Sequence, residues 1–188
     1  MAPHVAVLLL AVFAAANAQS SCPNIVSRLG WGAKPAKQVE YIIKPVGIVI
    51  VHHTVSPICT SMNACAERVR SIQVQHMNNL KFEDIGYSFL VGGDGNVYEG
   101  RGWHKQGAHT RGYNKNSIGI ALIGDFTDSL PSRPQLKALE KLLDCGRELK
   151  ELSEDYKLLG ARQVVATQSP GLALYQEIQN WPAWVEQP

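Results

Sequence analysis

Three consecutive polar residues, His52, His53 and Thr54, close an otherwise apolar run, Val46-Gly47-Ile48-Val49-Ile50-Val51. Imidazole ligates metals and moves protons near neutral pH, so two of them at the end of a buried strand mark the first place to look for chemistry. Successive side chains of a strand point to opposite faces. At most one of the pair therefore faces a cleft, and the other is expected to be packed or hydrogen-bonded. A single histidine is more often structural than functional. This pair gains interest from the motif-dense stretch downstream: Asp84-Ile85-Gly86-Tyr87-Ser88-Phe89, Gly92-Gly93-Asp94-Gly95, Tyr98-Glu99-Gly100-Arg101-Gly102-Trp103 and Gly107-Ala108-His109-Thr110.

These residues need a scaffold. The run from Val46 to Val51 reads as a buried central strand. Tyr87 to Val91, the turn Gly92 to Asn96 and Val97-Tyr98-Glu99 read as a hairpin, and Ile118 to Ile123 as a further apolar strand. Strands buried on both faces require helices to cover them. Ala64 to Asn78 carries Cys65, Val69, Ile72 and His76 at helical spacing, with Asn63 as its expected N-cap. Pro134 to Lys150 places Leu136, Leu139, Leu142, Leu143 and Leu149 on one broad face. Leu172, Leu174, Tyr175 and Ile178 predict a shorter third helix ending before Trp181-Pro182. The expected fold class is α/β, a mixed central sheet covered by about three helices.

Residues Met1 to Ala18 hold an apolar core and end in Ala16-Asn17-Ala18, the form of a signal-peptidase site, so 1–18 is read as a cleaved leader and 19–188 as one secreted domain. A second apolar stretch of about 20 residues, which a membrane span would need, does not occur after it. A net charge of +2 with 18% charged residues leaves no basic arm or acidic tail, which argues against nucleic acid as a partner. Four cysteines behind a secretion signal point to two disulfides rather than a metal site. Cys59 and Cys65 would close a short loop, and Cys22 would then tie the new N-terminus to Cys145.

With these motifs in order, the chain resembles the peptidoglycan recognition proteins, relatives of the phage-lysozyme type of N-acetylmuramoyl-L-alanine amidase, from about Ser27 to Trp184. Further stretches carrying the resemblance are Arg28-Leu29-Gly30-Trp31-Gly32, Ser117-Ile118-Gly119-Ile120, Ile123-Gly124-Asp125-Phe126 and Thr167-Gln168-Ser169-Pro170-Gly171. Over Glu151 to Trp184 it is similar to the short secreted insect members of SA type. The resemblance implies an extracellular receptor for bacterial peptidoglycan that triggers an innate immune serine-protease cascade, the Toll-pathway defence against Gram-positive bacteria, through downstream secreted partners.

Enzymes of the family hold zinc with a His closing the first central strand, a second His near the C-terminus and a Cys eight residues beyond it. This chain has His52, with Tyr87 nearby, but Ala161 and Ser169 at the other two ligand positions. Alanine cannot ligate, a neutral serine hydroxyl is a poor zinc donor, and a catalytic zinc normally needs three protein ligands. His76, His104 and His109 do not fall where the family pattern needs an imidazole. The expectation is binding without cleavage, with no cofactor and no metal.

The resemblance implies a groove lined by His52, Thr54, Tyr87, Trp103, His109 and Asn114, although Tyr87 and Trp103 are each as readily core residues. Arg101-Gly102-Trp103 resembles the pattern of members that recognise diaminopimelate-type stems, whose extra carboxylate suits a planar guanidinium. SA-type members imply lysine-type stems, so dual recognition is expected. The alternative is a serine-type carboxypeptidase using Ser169 with His52, assisted by Thr167; the sequence offers it no acidic orienter and no oxyanion hole.

Overall fold

A computed structural model describes residues 22–188; the proposed leader and its cleavage point lie outside them. The element order is β1 (Ile25–Val26), β2 (Val46–His53), α1 (Met62–Asn78), β3 (Phe89–Val91), β4 (Val97–Glu99), β5 (Ser117–Leu122), α2 (Arg133–Glu148), β6 (Leu152–Gly160) and α3 (Leu172–Ile178). Six strands form one mixed sheet in the order β1-β4-β3-β5-β2-β6. Only the β3–β4 hairpin pairs antiparallel, and β2 lies parallel between β5 and β6.

β2 is central because its side chains suit burial on both faces. Val49, Ile50 and Val51 are fully enclosed, each contributing roughly 1.5–3 kcal/mol of transfer free energy. Alternation splits the core. Val49 and Val51 join Phe89, Ile118, Ile120, Leu139 and Leu142 under α2 and α3. On the other face Leu90, Tyr98 and Ala121 pack with Val69 and Ile72 of α1.

The helices start where polar side chains cap them, which moves one expected boundary. Ser61, not Asn63, caps α1, its side chain accepting the Ala64 N–H, so the helix begins at Met62. Ser132 does the same for α2, accepting from Gln135, with Pro134 in the first turn. Leu149 leaves the expected apolar face: α2 ends at Glu148, and Leu149 is 56% exposed at the C-cap. Tyr87 likewise precedes its strand, which begins at Phe89.

Two elements had no sequence signal. β1 is only two residues long, and β6 is an edge strand whose residues Glu154 and Asp155 face solvent, so only Leu158, Leu159 and Gly160 at its end look like a core strand. Disulfides join Cys22 to Cys145 and Cys59 to Cys65. The second backs the β3–β4 turn: a Cβ on Gly92 would meet Cys65 Sγ at 2.9 Å. From the other side, Ser132 Oγ donates to Gly93 C=O, and Pro134 packs on Gly95. Asp94 binds the turn internally, accepting from Tyr98 Oη and Asn96 Nδ2 at 2.7 Å each.

Candidate functional site

The end of β2 sends its two histidines to opposite faces, as strand alternation requires, and both are 5% exposed. His52 meets Tyr87 with ring centroids 5.3 Å apart and His109 at 5.4 Å. Tyr87 continues to His76 of α1 at 5.6 Å, and His76 to Phe82 at 5.5 Å. Five rings, His109, His52, Tyr87, His76 and Phe82, thus form a continuous row on the α1 side of the sheet.

Backbone and hydroxyl contacts fix this row. Thr110 Oγ1 lies 3.2 Å from His52 Nε2 and 2.9 Å from His109 Nδ1. Asn114 Oδ1 accepts the N–H groups of both His109 and Thr110, holding the loop that carries them. The His109 ring occupies a slot between Gly107 and Gly119, where a Cβ on either would strike it. That steric demand accounts for a glycine inside the apolar strand β5. Gly86 N–H donates to His76 Nδ1 at 2.9 Å, so that nitrogen carries a lone pair and not a proton.

Burial keeps the row uncharged. It pushes His109 and His76 down to about 4, with Arg101 adding to the effect at His76. His52 is held well below its ordinary value by burial first, then by His109 and His53. Burial raises Tyr87 to about 12. At neutral pH the row is therefore a line of neutral, polar-edged aromatic surfaces.

Arg101 and Trp103 flank Gly102 and line one cavity of about 400 Å³ together with Phe89 and Glu99. Gly102 has φ +69°, a left-handed conformation that glycine adopts without strain, and the chain turns there. Arg101 is 6% exposed and donates from Nε to Ile85 C=O at 2.7 Å. It lines a cavity of about 370 Å³ together with Lys81, Phe82, Gln106 and the carboxylates of Glu40 and Glu83. The ring row thus leads through Phe82 into a pocket holding a guanidinium. Trp103 packs on Phe89 at 4.5 Å in the α2 layer, and its partly exposed ring lines the cavity it shares with Arg101. Gly146 of α2 leaves room for it, since a Cβ there would lie 2.8 Å from Trp103 Cη2.

Thr54 is occupied locally, its hydroxyl 2.7 Å from Ser56 Oγ and accepting the Gly124 N–H. On the far side of β2, His53 Nδ1 accepts the Phe126 N–H, so it has no proton to share with Asp125 Oδ1 at 3.6 Å. Ser169 Oγ accepts the His53 backbone N–H at 3.1 Å, while Thr167 Oγ1 accepts the Ser169 N–H. Among the described residues neither hydroxyl is hydrogen-bonded to His52, the contact that the carboxypeptidase reading needs. Ala161, fully buried, opens the short 3₁₀ turn after β6. Among the described residues no three His, Cys, Asp or Glu side chains converge as a metal-holding group.

His76 and Phe82 are the residues that sequence reasoning missed in the row. The helical period assigned His76 to a packing face, and only the Asp84-Ile85-Gly86-Tyr87 turn folding back onto α1 puts it beside Tyr87.

The mixed sheet, its helical cover and the polar site at the end of β2 define an amidase-type domain: the family model described as N-acetylmuramoyl-L-alanine amidase matches residues 43–172. Peptidoglycan-recognition protein 2 of Holotrichia diomphalia is 50% identical over 98% of this chain and 95% of its own length. Peptidoglycan-recognition protein SA of Drosophila melanogaster is 47% identical over 100% and 95% respectively. The solved Drosophila PGRP-SA superposes with a TM-score of 0.87 at 50% identity, covering 89% of this chain and 96% of that one. The complex of tracheal cytotoxin with the PGRP-LCa and PGRP-LCx ectodomains matches with a TM-score of 0.86 at 46% identity, covering 87% and 99%. The chain belongs to the peptidoglycan-recognition proteins of the amidase family.

Proposed function

We propose that this protein is a secreted, non-catalytic receptor that binds the stem peptides of bacterial peptidoglycan and signals through a serine-protease cascade. The observation that carries this reading is the neutral ring row ending in the Arg101 pocket. Flat aromatic faces with polar edges suit a ligand built of sugars, amides and carboxylates. His52, Tyr87 and His109 form the groove floor, Asn114 and Thr54 hold its loops, and Arg101 offers a planar donor set to a stem carboxylate. Lysine-type stems would use the row alone, while diaminopimelate-type stems would add the Arg101 contact. The tracheal cytotoxin complex of the related ectodomains supports a muropeptide as the ligand class.

The residues do not fit a catalytic zinc ion. His52 supplies one imidazole, whose Nε2 already faces Thr110. Ala161 presents a methyl group, and the Ser169 hydroxyl is engaged by the His53 N–H. One donor does not make a three-ligand site. The serine-type alternative lacks support as well, since among the described residues Ser169 Oγ makes no hydrogen bond to an imidazole that could act as base and instead accepts the His53 backbone N–H.

The test is incubation with insoluble lysine-type and diaminopimelate-type peptidoglycan, with and without added Zn²⁺, following co-sedimentation and stem-peptide release together. Sedimentation without release is expected. Zinc-dependent release would overturn the non-catalytic reading, and failure to sediment with either polymer would overturn the receptor reading.

A further inference from the structure

A cavity of about 750 Å³ lies away from the ring row, between α2, β6 and the C-terminal turn. Leu158, Trp181, Ala183 and Val185 give it an apolar lining, and Glu140, Asp144, Glu154 and Asp155 surround them with carboxylates. All four acids are solvent-exposed. Arg147 is tied to Asp144 at 2.7 Å and feels Glu154 across the opening, so part of its charge is neutralised. Lys157 is the other cation lining the groove. The surroundings are acidic although the whole chain carries +2.

One wall of this cavity is an open sheet edge. β6 is the last strand of the sheet, and along its outer side the C-terminal segment bridges it only at Leu158, through Trp184. Its pairing with β2 is interrupted between Leu152 and Lys157, where the register shifts. The stretch Ser153 to Tyr156 therefore bulges from the ladder at the outermost strand, with the acidic side chains of Glu154 and Asp155 exposed. Exposed edges accept an added strand, whose backbone supplies affinity while side-chain pockets select sequence.

We propose that this groove docks an extended segment of a partner protein that alternates basic with apolar side chains. The apolar residues would sit over Trp181 and Val185, and the cations would face Glu140, Asp144, Glu154 and Asp155. Because α2 and the ring row cover opposite faces of the sheet, a molecule bound to the wall by its ring row leaves this groove open to solution. The groove thus gives a wall-bound receptor a second, independent contact.

A fluorescein-labelled synthetic peptide alternating Lys with Val serves as the probe, with its Glu-for-Lys counterpart as control, both read by fluorescence anisotropy against the whole protein. The Lys peptide is expected to bind at least about tenfold more tightly than the Glu peptide. Reversing the edge charges with Glu154→Lys and Asp155→Lys should weaken it by about tenfold. Co-sedimentation of the double variant with peptidoglycan should stay at the wild-type level. Equal binding of the two peptides, or no effect of the reversal, would overturn the proposal. So would rejection of both peptides, which would make the acidic edge a guard against pairing. Concentration-dependent dimerisation abolished by the same variant would assign the groove to a second copy instead.

Discussion

His52 and His109 share the hydroxyl of Thr110, which stands 3.2 Å from one imidazole and 2.9 Å from the other. A buried hydroxyl between two neutral rings satisfies both at once, and its loss leaves two ring nitrogens without that partner. Thr110→Val preserves shape and removes only the oxygen. It is expected to cost about 1–3 kcal/mol of stability, seen as a lower denaturation midpoint, and to weaken peptidoglycan binding further by freeing the His52 ring. An unchanged midpoint would show that the bridge does not matter.

The depressed histidines predict a one-sided pH dependence. His76 and His109 titrate near 4 in the folded protein but near 6.5 when unfolded. As pH falls below about 6.5 the unfolded chain takes up protons that the folded chain refuses, so stability is fully present above that value and is lost as pH falls through about 4. Urea midpoints should be flat from pH 7 upward with respect to these groups and fall steadily toward pH 4. Asn or Gln in place of His76 should flatten the decline.

The role proposed for Arg101 predicts a split between the two classes of stem peptide. Arg101→Thr is expected to lower affinity for diaminopimelate-type fragments by about tenfold or more while leaving lysine-type fragments within about twofold. Titration calorimetry with both fragments measures the split. Because Arg101 Nε also anchors Ile85 C=O, Arg101→Lys serves as the companion variant. Parallel losses for both fragments in both variants would reduce the residue to a structural anchor.

Restoring the two missing donors should restore metal binding. Ala161→His with Ser169→Cys is expected to bind one Zn²⁺ per chain in calorimetry, whereas the unaltered protein should bind none at that site. If the double variant folds, by its circular dichroism, yet takes up no zinc, His52 is not a ligand position.

The two disulfides should differ in worth. Cys22 and Cys145 lie 123 positions apart, Cys59 and Cys65 only 6. Loop-closure entropy assigns about 5 kcal/mol to the first and about 2 kcal/mol to the second. Paired Cys-to-Ser variants compared by chemical denaturation test that order.

How far these features could be read from the sequence depended on how local their causes were. β2 was legible because a residue run without polar side chains admits few other readings, and its histidine pair followed from alternation alone. The edge strand β6 was illegible: Leu152-Ser153-Glu154-Asp155-Tyr156-Lys157 has no core pattern, and only its position beside β2 makes it a strand. The contacts around Gly102 were not legible either: its left-handed conformation lets Arg101 donate to Ile85 while Trp103 packs on Phe89, a turn that no periodicity records. The glycine at position 146, unusual in a helix so rich in leucine, was the one local hint that a large ring sits beneath α2.

The β3–β4 turn has a further consequence for resistance to proteolysis. A glycine-rich loop tip is ordinarily where such enzymes nick a chain, because it can be drawn out into an extended form. Here Gly92 and Gly93 lie against the Cys59–Cys65 bridge, Gly93 C=O accepts from Ser132, and Asp94 is bound by Tyr98. Drawing out this tip requires release from α1 and α2 together, so its scissile bonds open only when the domain itself comes apart. A hairpin that looks like the softest point of the chain is thereby tied to two of the helices that cover the sheet.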